Sequence, residues 1–427
     1  MEFNPAPPTV MHVDINSCFA TIEQQANPRL RGKPTVVAAY VEEHGCILAA
    51  SREAKAIGIG TGMRVSDARA RCPFVTVLAP DPDKYRFVNH QLKAILGSYT
   101  PNLSVESIDE MVLSLDRTPA LQRQLTVDKS IEDAMKSIAI EMKYRIKEEI
   151  GEWMTVSIGI APNRYLAKIA SGLHKPDGMD SITQDSIVRV FSAMRLEDLC
   201  GIKTGNATRL RKAGIYTPYA LLYADATTLH KAFKSIVGRQ WWMRLHGYDL
   251  PAQAGDGVRY TSFGNHGSSQ KSFGHSHALG KPLVPSDPEL WQILAQLVVK
   301  MGNRLRAAGC MAHSIGVTAQ FGDYSEVWHT QKLLSGPLYA DADFFSYSKA
   351  LLQTAPDRPV RILGVTCSRL TRDLYTQQSL LSFDIKKESV TKVIDALSDK
   401  YGKFTIVPAR MVDTRQKVMD RISFGKV

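Results

Sequence analysis

An aspartate sits inside the first apolar run of this chain. In TVMHVDIN, residues 9–16, Asp14 is flanked by Val10, Met11, Val13 and Ile15, and a short continuous apolar run of this kind predicts a buried strand. A carboxylate taken out of water is costly unless something positive or several hydrogen-bond donors meet it, so few packings are open to this strand. The same conflict recurs in SVESIDEMVLSLD, residues 104–116. There Asp109 and Glu110 interrupt Val105, Met111, Val112, Leu113 and Leu115, residues that suit a pleated, half-buried surface. Two readings fit. A hairpin turn exposes Asp109 and Glu110 to water, as turns commonly do with acids. Alternatively, Asp14, Asp109 and Glu110 converge across neighbouring strands and hold divalent metal. Magnesium suits three oxygen donors with positions left open for phosphate, and two such ions about 3.5–4 Å apart serve phosphoryl transfer.

A chain of 427 residues exceeds one core, so several domains are expected. The net charge of +11 suits a polyanionic partner, nucleic acid ahead of a membrane, because no basic amphipathic anchor stands out. Cys18, Cys46, Cys72, Cys200, Cys310 and Cys367 form no C-x-x-C pair. Neither a zinc site nor a disulfide framework is indicated, and a reducing cytoplasm fits best. The opening MEFNPAPPTV lacks the charged region and apolar core of a secretory signal, and no window is long and apolar enough to span a bilayer.

The pattern along the chain is α/β and multidomain. After the first strand, helices are expected around 20–25, in AASREAKAIG, over 81–99 and over 131–149. MTVSIGIA reads as a buried strand and NRYLAKIASGLHK as a helix that Pro176 ends. A smaller helical region occupies 183–250. The stretch PAQAGDGVRYTSFGNHGSSQ, 251–270, has the Gly and Ser content of an interdomain linker. Beyond it, a helix over 287–308 and strands over 314–320 and 360–368 suggest a compact α+β domain, and a last helix, 386–401, reads as part of a tail.

VMHVDINSCFATIEQ, NPRLRGKPTVVAA, EAKAIGI, SIDE and SIGIAPNRYLAKIASGLHKPDG follow one another in that order. With these motifs the chain resembles the Y-family DNA polymerases, the bacterial DinB/UmuC-like translesion enzymes, from about residue 10 to residue 375. DIN and EAKAIG are closer to the UmuC-like branch than to the DinB-like one. The resemblance implies a right-hand polymerase with a mixed α/β palm (1–18 and 86–182), small fingers (19–85), a helical thumb (183–250), a linker (251–270), an α+β little finger (271–375) and a C-terminal tail (376–427). It implies template-directed, low-fidelity DNA synthesis past lesions, with deoxyribonucleoside triphosphates and primer-template DNA as substrates. Two Mg2+ ions are implied, with Mn2+ as a substitute. Asp14 and Asp109 then bridge both ions, Glu110 binds the ion nearer the primer 3′-hydroxyl, and the Ile15 carbonyl adds a ligand.

The resemblance extends to further residues, each with a plainer alternative. Phe19, five residues after Asp14, falls at the family's steric gate against ribonucleotides; core packing is the ordinary fate of such a ring. Arg52 and Lys55 fall where the fingers meet the triphosphate. The family's usual pair there is Tyr and Arg, and Ala49 replaces a frequent Thr, so a solvated helix face also fits. Lys175, in KPDG, matches the palm lysine that reaches the triphosphate. LCGIKTGNATRLRKAGI, 199–215, resembles a helix-hairpin-helix that turns backbone N–H groups toward DNA phosphates; Gly201 and Gly205 remain, while Lys203 replaces the usual second glycine. A purely structural helical hairpin is the alternative. SQKSFGHS resembles the strand that opens the little finger, with Lys271 and Ser272 on template phosphates and Arg304, Arg306, Arg361 and Arg369 as candidates for the same surface. Gln378, Leu381 and Phe383 in QQSLLSF resemble a short sliding-clamp motif, which tail packing would explain equally well. A clamp and UmuD-like or other accessory proteins are the further expected partners, and no membrane.

Two other classes compete. A catalytically silent adaptor in a mutagenic complex would be marked by loss of the acids, but Asp14, Asp109 and Glu110 are all present. A two-metal nuclease would not need the linker and little-finger module.

Overall fold

Alternation along one strand organises the first half of the molecule. The computed structural model describes residues 3–250, 271–322, 326–372, 382–402, 404–414 and 418. The described residues fall into two units, the first within 1–266 and the second within 267–420. In chain order the first unit contains β1 (Val10–Ile15), α1 (Cys18–Ala26), β2 (Thr35–Ala38), β3 (Ile47–Ala50), α2 (Arg52–Ala56), α3 (Val65–Arg71), β4 (Thr76–Leu78), α4 (Pro82–Gly97), β5 (Leu103–Val105), β6 (Glu110–Ser114), α5 (Pro119–Leu125), α6 (Ile131–Glu149), β7 (Val156–Ala161), α7 (Arg164–Leu173) and β8 (Met179–Ser181). A helical lobe follows: α8 (Ile187–Ser192), α9 (Thr204–Lys212), α10 (Pro218–Tyr223), α11 (Ala226–Phe233) and α12 (Val237–Leu245).

β1 is the central strand of a five-stranded sheet of order β5-β6-β1-β7-β8 and runs antiparallel to β6 and β7. Successive side chains of a strand point to opposite faces. Met11, Val13 and Ile15 therefore join α4 and α6 in the main core, while Val10, His12 and Asp14 turn to the face on which α7 packs. α7 lies close because β7 carries Gly159: a Cβ there would stand 2.0 Å from the Ala167 carbonyl oxygen. Asn163 caps α7 through the Leu166 N–H and donates to the carbonyls of Arg244 and Tyr248, tying the helical lobe to the sheet. α6 has the bounds that periodicity predicts. Ser130 caps it, and Glu132 and Asp133 sit at the positive end of its dipole.

The sequence reading missed the three-stranded sheet β3-β2-β4. Its strands are three or four residues long, too short for periodicity to register. It has its own core, which includes Val36, Ile47, Ala54 and Val65. α1 packs on β2 and β3, and its Phe19 and Ile22 share the main core with β1, Val37 of β2 and Ala49 of β3.

The second unit contains β9 (Ser272–Leu283), α13 (Pro288–Ala307), β10 (Cys310–Phe321), β11 (Val327–Leu338), α14 (Asp341–Leu352), β12 (Val360–Arg372) and α15 (Ser382–Tyr401). The strands form an antiparallel sheet of order β11-β10-β12-β9. Ile315, Val317, Leu363 and Val365 share a core with α13 and α14. The alternate positions, Gly274, Ser276, Gly316, Thr318, Gly364 and Thr366, form an open face of small side chains. An α+β domain was expected; β11 and α14 were not. The expected tail is also corrected in part. Met411 and Val418 are buried in this same core, and Asp395 of α15 pairs with Arg306 of α13. The stretch 251–270, expected as a linker, lies outside the described residues. Among the described residues no helix is long and apolar enough to cross a membrane.

Candidate active site

Asp109 and Glu110 do lie at a hairpin, between β5 and β6, but the turn does not release them to water. Both are half-buried. The turn is held from several sides. Arg164, almost wholly buried, donates to Glu106 at 3.0 Å. The Ser107 hydroxyl donates to Asp109 Oδ1 and accepts from the Glu110 N–H. The Ile15 N–H donates to the Asp109 carbonyl at 2.9 Å, which fixes the turn against the end of β1. In that register Asp14 stands opposite Glu110, and their side chains share the face that α7 packs on.

Each of these two acids has an ammonium group against it. Lys168 of α7 lies 2.6 Å from Glu110 Oε2, and Lys175, just beyond α7, lies 2.7 Å from Asp14 Oδ2. The loop carrying Lys175 is fastened to β1 by the Asp177 N–H, which donates to Asn16 Oδ1 at 2.7 Å. His12, two residues before Asp14 and buried, points Nε2 at Glu110 Oε2 across 3.7 Å, too long for a hydrogen bond, while its Nδ1 meets the Ser171 hydroxyl at 3.2 Å. Burial works against the Glu110 charge, but His12 and then Lys168 outweigh it and hold the pKa down at about 2. Asp109 goes the other way. Burial, then the charges of Asp14 and Glu110, raise its pKa against the Ser107 hydrogen bond. That repulsion shows the three carboxylates acting on one another.

Among the described residues no group of three or more His, Cys, Asp and Glu side chains is arranged to hold a metal ion. Asp14 and Glu110 are turned onto lysines instead. The donor chemistry nonetheless fits a hard divalent cation: oxygen ligands only, clustered negative charge, and two ammonium groups supplying the positive charge that such a cluster requires.

Lys55 of α2 belongs to the same neighbourhood. Burial lowers its pKa first, the Lys175 charge lowers it further, and Asp14 opposes both. Arg52 is exposed at the start of α2, which Ser51 caps. Phe19 is 0% exposed and stacks on Tyr85 with ring centroids 4.4 Å apart, so as it stands the ring is core. His12, Lys168 and Asn16 escaped the sequence reading. The signal for His12 was there: it lies two positions before Asp14 in a strand, hence on the same face.

The remaining sequence candidates are spread over both units. Gly201 takes a left-handed φ of 87° in the loop before α9, where a Cβ would also press on the Trp241 ring at 3.3 Å. Lys203 is the exposed N-cap of α9 and makes no side-chain cap, and Gly205 is the second residue of the helix. The arm before the loop is a 3-10 turn, Leu196–Asp198, not an α-helix. In the second unit Lys271 is exposed and Ser272 opens β9. Arg304 donates to the Gly274 carbonyl and Arg361 to that of Gly280, and Arg369 is exposed.

Arg306 is a correction. It is buried, and its five N–H donors are taken up by Asp395, Asp341, Asn303 and the Tyr339 carbonyl. It has no donor left for phosphate. Gln378 and Leu381 lie outside the described residues, and of Phe383 only its place in α15 is described.

The comparisons with known proteins agree with this architecture. The sequence matches the impB/mucB/samB family over residues 13–172 and that family's C-terminal domain over residues 270–380. It is 30% identical to DNA polymerase IV of Bacillus velezensis, over 98% of this chain and 96% of the relative. It is 29% identical to DNA polymerase IV 1 of Bacillus subtilis, again over 98% and 96%, and 30% identical to DNA polymerase IV of Alkalilimnicola ehrlichii, over 84% and 95%. These are DinB-family enzymes, so the UmuC-like leaning of DIN and EAKAIG finds no support in them. In fold the chain is similar to a Y-family polymerase chimera of Dbh and Dpo4, with a TM-score of 0.70 at 22% identity over 85% of this chain and 99% of that one. The adaptor alternative has no support among these relatives. The chain belongs to the impB/mucB/samB family, the Y-family translesion DNA polymerases.

Proposed function

We propose that this DNA-directed DNA polymerase extends primers at Asp14, Asp109 and Glu110, with two Mg2+ ions, or Mn2+ in their place, held by those carboxylates and the Ile15 carbonyl. The observation that carries the reading is the register that sets Asp14 opposite Glu110, with Asp109 on the adjoining turn. Bound there, divalent ions would activate the primer hydroxyl and stabilise the leaving phosphate oxygen. The protein's own groups bind and orient. Lys175, held beside the acids by its loop, reaches the triphosphate, assisted by Lys55 and Arg52 of α2. Phe19 is the residue that this reading assigns to exclusion of a ribose 2′-hydroxyl.

Primer-template DNA and deoxyribonucleoside triphosphates are the substrates of this reading. The α9 N-terminus, with Gly201, Lys203 and Gly205, offers N–H groups to a phosphate. Lys271, Ser272, Arg304, Arg361 and Arg369 supply polar groups on the second unit, whose open face of small side chains lets a DNA backbone come close. In these terms the five-stranded sheet is the palm, the three-stranded sheet the fingers, α8–α12 the thumb and the second unit the little finger. A sliding clamp engaged through Gln378, Leu381 and Phe383, UmuD-like accessory proteins and a cytoplasmic location complete the proposal.

Primer extension with Mg2+ on undamaged and abasic templates tests it. Extension of both by the wild type and of neither by Asp109→Asn is the expected result. Full extension by Asp109→Asn would remove that carboxylate from the site.

A further inference from the structure

Two of the three carboxylates are not waiting open. Lys168 and Lys175 sit on single oxygens of Glu110 and Asp14 at 2.6 and 2.7 Å. Both lysines come from one piece of chain, α7 and the loop after it. Gly159 beneath α7 and the Asp177–Asn16 hydrogen bond set that piece against β1 and β7. Asp109 takes the Ser107 hydroxyl instead. The acids and the lysines also differ in exposure. The side chains of Asp14 and Glu110 are 12% and 21% exposed, those of Lys175 and Lys168 41% and 32%. The acids stand on the sheet and are more deeply buried than the lysines that meet them.

We propose that Lys168 and Lys175 are place-holding cations, which balance the carboxylates until divalent metal binds and are displaced by it. The proposal rests on the reading of Asp14, Asp109 and Glu110 as metal ligands. An ammonium and a divalent ion cannot share one carboxylate oxygen at these distances without strong repulsion, so metal binding loosens at least one of the pairs. Release of Lys175 from Asp14 makes its ammonium available to the triphosphate, which couples metal loading to nucleotide capture. Lys168 is a positioning residue. It balances the Glu110 charge in the metal-free site and competes with metal for that carboxylate without touching substrate. A purely structural salt bridge makes the opposite prediction, because its loss would disorder Glu110 and weaken metal binding.

The test uses the full chain without DNA or nucleotide. Mn2+ binding is followed by loss of the free-ion electron paramagnetic resonance signal, and unfolding is followed with and without the ion. Lys168→Met is expected to bind Mn2+ roughly three- to tenfold more tightly than wild type, the range to which the coupling of a partly buried ion pair converts. Its melting temperature should be lower than wild type without metal, and the gap should close at saturating Mn2+. Lys168→Arg, which keeps the charge, should bind as wild type does. Lys136→Met, which removes the same charge from the far pair with Glu132, should change nothing. Unchanged or weaker binding by Lys168→Met, or equal tightening by Lys136→Met, would overturn the proposal. Asp109→Asn separates this from the underlying reading: if it binds Mn2+ as wild type does, the carboxylates are not the ligands and the failure lies there.

Discussion

Asp14 of β1 and Glu110 of β6 stand opposite each other in antiparallel register, and each carboxylate meets a lysine rather than open water. Like charges directly opposite in a sheet destabilise it, and half-buried acids add a desolvation cost. A sheet built only for stability would place apolar side chains here, as it does at Met11, Val13 and Ile15 on the other face. A catalytic role at these positions, as proposed above, gives that cost a reason. Asp109→Ala or Glu110→Ala should reduce nucleotide addition to below about one hundredth of wild type, with primer-template affinity within about twofold, since the phosphate contacts proposed lie elsewhere. Single-turnover extension and DNA titration check the two halves separately. Residual extension well above that level would take the acids out of the chemistry.

Phe19 is where packing and sugar selection can be told apart. Its ring is buried against Tyr85, so Phe19→Ala removes core volume and should cost about 3–5 kcal/mol of stability. A gate role adds a second effect, a fall in the preference for deoxyribonucleotides over ribonucleotides. The ratio of kcat/KM for the two sugars is the measurement. A lower melting temperature with an unchanged ratio would leave Phe19 as a packing residue alone.

The acids give opposite pH signatures in the metal-free protein. Glu110 titrates at about 2 in the fold, below the ordinary glutamate value of about 4.3. Its contribution to stability is present above the ordinary value and is lost as pH falls toward 2. The stability difference between wild type and Glu110→Gln, measured by urea unfolding in chelator, should shrink over that window. The raised pKa of Asp109 reverses the sign. Its contribution is most favourable at low pH and declines as pH rises through its folded pKa, so Asp109→Asn should stabilise the metal-free protein at neutral pH.

Arg306 should behave as a structural clasp. Replacing it with Met leaves the half-buried Asp341 and Asp395 without their cation, a loss on the order of 3 kcal/mol. Thermal unfolding should show this, while the salt dependence of DNA binding by the still-folded protein stays as in wild type. A reduced salt slope with unchanged stability would restore Arg306 to the phosphate surface.

Long elements with a clear period were legible in the sequence. α6 and β7 fall where the pattern puts them, because one face of each is apolar throughout and little else competes. β2, β3 and β4 were not legible, being three or four residues long, and neither were β11 and α14. The acids announced themselves by conflict with their surroundings, but their partners did not. Lys168 lies 58 residues from Glu110 and reaches it only because Gly159 admits α7, a relation that no local pattern encodes. Arg306 was misread for the same reason: in sequence it looks like any basic residue near a helix end, and only the fold brings Asp341 and Asp395 around it.

The second unit offers the broadest test of how this polymerase holds DNA. The described residues within 267–420 form a compact unit with a core of their own, one sheet face made of small side chains, and the cations Lys271, Arg304, Arg361 and Arg369 near that sheet. The net charge of the whole chain is +11. Binding through phosphates loses affinity steeply with salt, with a slope of about −0.9 per neutralised phosphate on duplex DNA. A chain ending at about residue 254 keeps Asp14, Asp109, Glu110 and both lysines. It should still add a first nucleotide, yet bind primer-template more weakly, show a shallower salt slope and dissociate after few additions. Affinity across a salt series and product-length distributions for both chains provide the measurement. If the shortened chain matched the full one in affinity and in slope, the second unit would not be gripping DNA. The phosphate contacts would then have to come from the first unit alone, from the α9 N-terminus and its neighbours.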